Sequence, residues 1–256
     1  MSAPAAGPPS PRLTPLTARS VLLSVLLGSH PPELAVRDLV RAAELFGISD
    51  GSARVALSRL NSEGDVVATE GVYRLSPRLL ERQGDQDRAV RPATRAWKGL
   101  WELAVADAGA TAGERSAAGA DLARLRLAEL RPGVWARPDN LVREWPAGLS
   151  ARMLRFQGRP GPDQPPPAEL AARLWDLQGW SDTAGRLMTD LRSGRDPAER
   201  FVAAAAIVRH LRTDPVLPPA LLPPRWPGAR LRAAYDGYRR ELGEMLRREQ
   251  LGPTPG

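Results

Sequence analysis

Gly47-Ile48-Ser49-Asp50-Gly51-Ser52-Ala53-Arg54-Val55-Ala56-Leu57-Ser58-Arg59-Leu60-Asn61-Ser62-Glu63-Gly64 reads as a tight turn followed by a helix. Ser49 is a natural N-cap, and Ala53, Ala56, Leu57 and Leu60 recur at the spacing that lines one helical face. With those four inward, Gly51, Val55, Ser58 and Ser62 point outward at 100° per residue, and Ser52, Arg54 and Arg59 lie on the flanks. That outer face is small and polar and carries two arginines. Arg can read guanine in the major groove, Ser can donate or accept, and Val55 can touch a thymine methyl.

The flanking sequence turns this helix into a larger motif. Upstream, Thr17 caps a helix over Ala18–Leu27 that Gly28 stops. After the Pro31-Pro32 break, Val36, Leu39, Val40 and Ala43 mark a second helix ending at Phe46-Gly47. Downstream, Asp65–Thr69 and Val72–Leu75 are strand-like and meet at Glu70-Gly71, where glycine supplies the positive φ of a tight hairpin. Three helices with a short turn and a hairpin behind them make a winged helix-turn-helix. Tyr73 and Arg74 on the wing then face backbone phosphates. The expected DNA-contacting set is Ser52, Arg54, Val55, Ser58, Arg59, Tyr73 and Arg74. The bland alternative is a solvated helix in a small protein-interaction module.

Residues 1–15 are Pro- and Ala-rich and read as a disordered leader, followed by the DNA-binding domain at 16–80. Arg78–Arg91 is charged without apolar periodicity, a helical or loose linker. Within 81–160, Leu100–Ala106 is strand-like, Gly113–Arg131 carries Leu122, Leu125, Leu127 and Leu130 on a helix, Gly133-Val134-Trp135 resumes an extended pattern, and Met153–Phe156 is another strand. This order fits a ferredoxin-like α+β sandwich. From 168 to 256 the chain is helical, over Leu170–Leu177, Thr183–Leu191, Ala198–Leu211 and Arg230–Leu251, with a Pro-rich break at Pro215–Pro227. The fold class is therefore α+β and multidomain, in keeping with a length of 256 residues.

Composition narrows the chemistry. There is no cysteine, so disulfides, thiolate metal sites and a cysteine nucleophile are excluded. The apolar run Val21–Leu27, interrupted by Ser24, is too short to span a bilayer, and a soluble, cytoplasmic protein is expected. The net charge of +7 invites a polyanion, yet Arg12–Leu80 holds eight arginines against seven acids. The local excesses lie at Arg152, Arg155 and Arg159, and at Arg225, Arg230 and Arg232. Catalysis has little support, because His30 and His210 have no third group at triad or metal spacing. No enzymatic activity and no cofactor are expected. One enzymatic alternative uses Asp107 at the end of the first central strand as a metal-binding carboxylate of a nuclease, but two-metal chemistry needs several converging carboxylates. A dimeric scaffold without DNA binding is the other alternative. Most of the seven tryptophans read as core fillers, while Trp226, in its Pro-rich loop, reads as an anchor for the tail.

Three blocks in this order resemble the PaaX family of regulators of phenylacetic acid catabolism. They are Gly47–Gly64; Trp97–Trp101 with Leu122–Leu130 and Pro132-Gly133-Val134-Trp135 and Arg137-Pro138; and Asp214-Pro215, Leu217-Pro218 and Leu221-Leu222-Pro223-Pro224-Arg225-Trp226-Pro227-Gly228. The resemblance implies a winged-helix domain, a ferredoxin-like centre and a helical tail. It also implies a repressor that binds operator DNA as a homodimer and leaves it when an aryl-acyl-CoA, typically phenylacetyl-CoA, is bound. Asp50-Gly51-Ser52 stands where the family more often has longer polar or charged residues, which implies a different operator. Ala203–Ala206 and the long Pro-rich linker also depart from the usual pattern. A coenzyme A thioester needs fixed positive charge for its phosphates, so Arg152, Arg155, Arg159, Arg225, Arg230 and Arg232 are the expected effector-binding residues.

Overall fold

The computed structural model describes residues 16–107, 109 and 111–251, so the expected leader at 1–15 lies outside the described residues. The chain is a mixed α+β protein with two small antiparallel sheets. It divides into two compact units, neither of them one continuous stretch.

The described residues of the first unit fall within Met1–Gln83, Asp190–Ala205 and Tyr238–Gly256. Helix α1 (Ala18–Gly28) starts with a reciprocal cap, in which the Thr17 hydroxyl accepts from the Ser20 amide and Ser20 Oγ accepts from the Thr17 amide. Then come β1 (Glu33–Ala35), α2 (Val36–Glu44), α3 (Asp50–Ser62), β2 (Val66–Thr69) and β3 (Val72–Leu75). The three helices pack through Val21, Leu22, Leu26, Leu39, Ala42, Ala43, Ala53, Leu57 and Leu60, all buried. Gly47 takes φ +72° in the turn between α2 and α3, which only glycine adopts without strain. Glu70 and Gly71 both have positive φ, 49° and 78°, the requirement of a two-residue type I′ hairpin, and Thr69 pairs with Val72 across it. The sheet order is β1-β3-β2. Strand β1 was not expected: Glu33, Leu34 and Ala35 are uniformly half-buried, so no alternation marks them.

Two further parts of the chain complete this unit. Gln83, on α4 (Pro77–Val90), donates to the carbonyls of Leu27 at 3.1 Å and Ser29 at 2.9 Å. Phe201 packs on Phe46 with ring centroids 4.7 Å apart, and Arg239 donates to the Gly28 carbonyl at 2.9 Å.

The second unit comprises Gly84–Thr189 and Ala206–Gly237. Its elements begin with β4 (Trp101–Ala106), α5 (Ala112–Arg124), β5 (Ala128–Arg131), β6 (Val134–Pro138), α6 (Ala147–Ser150) and β7 (Met153–Gly158). The sheet is antiparallel in the order β5-β6-β4-β7. Helix α5 stops at Arg124, and Arg126 takes φ 64°, so Leu127 falls in the reversal and Leu130 in β5 rather than on the expected longer helix. One sheet face carries Ala104, Trp135 and Met153 against Ala118, Leu122 and Leu149. The other carries Trp101 and Ala136 against Ala171, Leu177, Leu217 and Leu221. Those residues come from α7 (Pro167–Leu174), α8 (Leu177–Ser193) and the segment around a 3-10 turn (Pro219–Leu221). Helices α9 (Pro197–Leu211) and α10 (Gly228–Leu251) complete the chain.

The second unit also buries charge. Glu102 has no exposed surface; its Oε2 accepts from Arg143 at 2.8 Å, while Oε1 accepts from Trp145 Nε1 at 2.6 Å and pairs with Arg155 Nε at 2.8 Å. Arg137 is equally buried, and among the described residues it donates only to neutral oxygens, those of Pro138, Asn140, Arg126 and Val216. Burial pushes its pKa down to about 9. His210 stacks on Trp180 at 4.4 Å, and Trp180 stacks on Trp226 at 4.6 Å.

Candidate nucleic-acid interface

Helix α3 begins where Ser49 Oγ accepts from the Ser52 amide, and it is held to the hairpin by Asn61, whose Oδ1 accepts from the Ala68 amide at 3.0 Å. Leu57 and Leu60 are fully buried, which turns the opposite face outward. On that face Ser52, Arg54, Ser58 and Arg59 are exposed, and Val55 keeps 53% of its surface open, a large value for an apolar residue. Ala56 was expected to point inward with Ala53; it is only half-buried and lines a groove.

That groove, about 520 Å³, runs between the start of α1 and the outer face of α3 and is lined by Thr17, Arg19, Gly51, Ser52, Val55, Arg59 and Glu63 among others. Arg19 pairs with Glu63 and with buried Asp65, which Arg78 also holds, so the groove wall is braced from beneath. Arg59 has no charged or hydrogen-bonding partner for its guanidinium among the described residues. Arg54 is committed differently: its Nε donates to Asp50 Oδ1 at 2.6 Å and its Nη2 to Oδ2 at 3.3 Å. The Asp50 hydrogen bond raises the Arg54 pKa further above its ordinary value. On β3, Tyr73 is half-buried and Arg74 exposed, with Arg74 Nε donating to Glu33 Oε2 on β1 at 2.5 Å. Thr17, Arg19, Glu33 and Asp50 were absent from the expected set. Of these only Asp50 was readable, four residues before Arg54 on one helix.

The arginines expected to bind an effector all lie in the second unit. Arg152 pairs with Asp121 at 3.3 Å, Arg155 with Glu102, and Arg232 with buried Asp214 at 2.8 Å. The Arg159 guanidinium packs on Gly99 so closely that a Cβ there would lie 2.5 Å from Nη1. Arg225 is exposed with φ 63°, and Arg230 donates to its carbonyl at 3.4 Å. Among the described residues no hydrogen bond or ion pair joins the first three arginines to the second three. Asp107 is exposed just after β4, and among the described residues no group of three or more His, Cys, Asp or Glu could hold a metal ion. No described helix is long and apolar enough to cross a membrane.

No curated protein matches this chain. A solved structure does, that of the uncharacterized protein Rv0674 from Mycobacterium tuberculosis. It is 45% identical, the match covers 91% of this chain and 99% of that one, and the TM-score is 0.80. The model of the PaaX-like protein family matches residues 17–79, which hold α1–α3 and the hairpin, and that of the PaaX-like protein C-terminal domain matches residues 171–248. With both models matched in order along one chain, this protein belongs to the PaaX-like family.

Proposed function

We propose that the chain is a DNA-binding transcription regulator whose first unit reads operator DNA through α3. The carrying observation is the exposed outer face of α3, where Ser58 is open and Ser52, Val55 and an Arg59 unpartnered among the described residues border an open groove. In this reading α1–α3 with β1–β3 form a winged helix-turn-helix at 16–80, Arg54 and Arg59 address base edges, and Tyr73 and Arg74 on the wing address phosphates. Membership of a family of transcriptional regulators supports it.

The remaining chain serves dimerisation and sensing. In this reading 81–160 is a ferredoxin-like domain, supported by its strand-helix-strand-strand-helix-strand sequence and the order β5-β6-β4-β7, and 168–256 is a helical domain. The regulator is a homodimeric repressor of an aromatic-acid operon of phenylacetate type, released by an aryl-acyl-CoA. The effector's phosphates fall to Arg159, Arg225 and Arg230, whose guanidinium groups have no carboxylate partner among the described residues, with Arg152, Arg155 and Arg232 held nearer their own acids. The protein is cytoplasmic and acts without catalysis.

The test is a gel shift with the chain's own upstream intergenic DNA. Arg59→Ala weakens operator binding by roughly 1–3 kcal/mol, whereas Arg74→Ala weakens all duplexes alike and flattens the salt dependence. Binding by both variants equal to the parent overturns the assignment of this face. Adding phenylacetyl-CoA releases the complex; its persistence at saturating thioester removes the effector reading while leaving DNA binding intact.

A further inference from the structure

Asp50 and Arg54 sit one turn apart at the start of α3, with side chains half exposed. An exposed pair of this kind adds little to stability. Its geometry has a sharper consequence. Asp50 takes the Nε and one Nη2 hydrogen, the side edge of the guanidinium. The end edge, with one hydrogen each on Nη1 and Nη2, remains for a second pair of acceptors, and it points along the direction the Asp50 carboxylate fixes. Guanine presents two such acceptors, N7 and O6, side by side in the major groove. Around the pair the exposed positions of α3 are Gly51, Ser52, Val55 and Ser58, small enough for a base edge to approach the helix. Arg59, by contrast, has no carboxylate to orient it among the described residues.

We infer that Asp50 is a specificity-determining residue, which positions Arg54 so that its end edge reads one guanine of the operator. The inference rests on α3 being the base-reading helix. Asp50 itself makes no contact with the base. As an anion at the DNA-facing end of α3 it repels phosphates, so it lowers affinity for every duplex while raising the contrast between guanine and the other bases.

The preferred duplex is first selected with the full chain from a random-sequence pool. Binding constants are then measured for the parent, Asp50→Asn, Asp50→Glu and Arg54→Ala on that duplex, on versions with each G·C pair replaced in turn, and on an unrelated duplex. The parent discriminates at one G·C pair by roughly ten- to a hundredfold, and Arg54→Ala erases the contrast at that pair alone. Asp50→Asn erases most of it while tightening binding to the unrelated duplex, and Asp50→Glu restores it. Full discrimination by Asp50→Asn at the pair that Arg54→Ala flattens overturns the role of Asp50. If Arg54→Ala flattens no position, the guanine assignment is overturned. A pool that yields no preferred duplex overturns the base-reading function of α3 itself, and the two failures are thereby distinguished.

Discussion

Glu102 shows how little a single carboxylate announces in a sequence. It is one residue of a strand-like run, and its partners Arg143 and Trp145 lie 41 and 43 residues further on. With three donors closed on a side chain that has no exposure, its removal leaves the half-buried Arg143 with the Leu125 carbonyl but without its carboxylate. Glu102→Ala is expected to destabilise the second unit by about 3–5 kcal/mol, read from the urea midpoint. A loss below about 1 kcal/mol would show that water replaces the carboxylate. The same network shows what local charge counting leaves out at Arg155. It lies in an excess of arginines along the chain, yet its paired acid comes from β4, three strands earlier in sequence and adjacent in the sheet. The exposed residues of α3 were legible because they share one helix with their buried counterparts, and a 100° step places both sets at once.

At the level of elements, caps and turns carried the reading. Thr17, Ser49, Gly47 and Gly71 all occupy the positions their chemistry favours. Gly71→Ala, forced into φ near 78°, should cost about 1–2 kcal/mol and loosen the hairpin, seen as faster amide exchange in β2 and β3. What escaped were elements without a period. Strand β1 is three residues long, and α5 is followed by apolar residues that continue its rhythm after Arg126 has already reversed the chain. Helix α9 yields a pH prediction through His210, whose Nε2 donates to the Trp180 carbonyl at 2.9 Å. Burial lowers its pKa from the ordinary 6.5, against the weaker opposing pulls of that carbonyl and of Asp214. Below about pH 6.5 the unfolded chain therefore takes up a proton that the folded His210 resists, so stability falls as pH drops through the window beneath 6.5. Between pH 7.5 and 5.5, unfolding midpoints of His210→Phe should fall less steeply than those of the parent. Equal slopes would remove His210 from the acid response.

Across the molecule, the first unit takes its described residues from three separated stretches, and Phe201 on Phe46 and Arg239 on Gly28 tie the later two to the first. Phe201 is buried, so Phe201→Ala should lower the stability of the first unit by about 3–5 kcal/mol and accelerate amide exchange in α2, though Phe201 lies far from α2 in the chain. Unchanged exchange in α2 would mean that residues 16–83 stand alone. No periodicity could have disclosed this, since it depends on which distant segments meet. All four points at which the chain passes between the units fall inside helices: after Gln83 in α4, Thr189 in α8, Ala205 in α9 and Gly237 in α10. A gene for this protein consequently has no single breakpoint at which the first unit can be lifted out whole. Exchange of the first unit between relatives by recombination would have to replace three separated codon runs together, with every junction falling inside a helix.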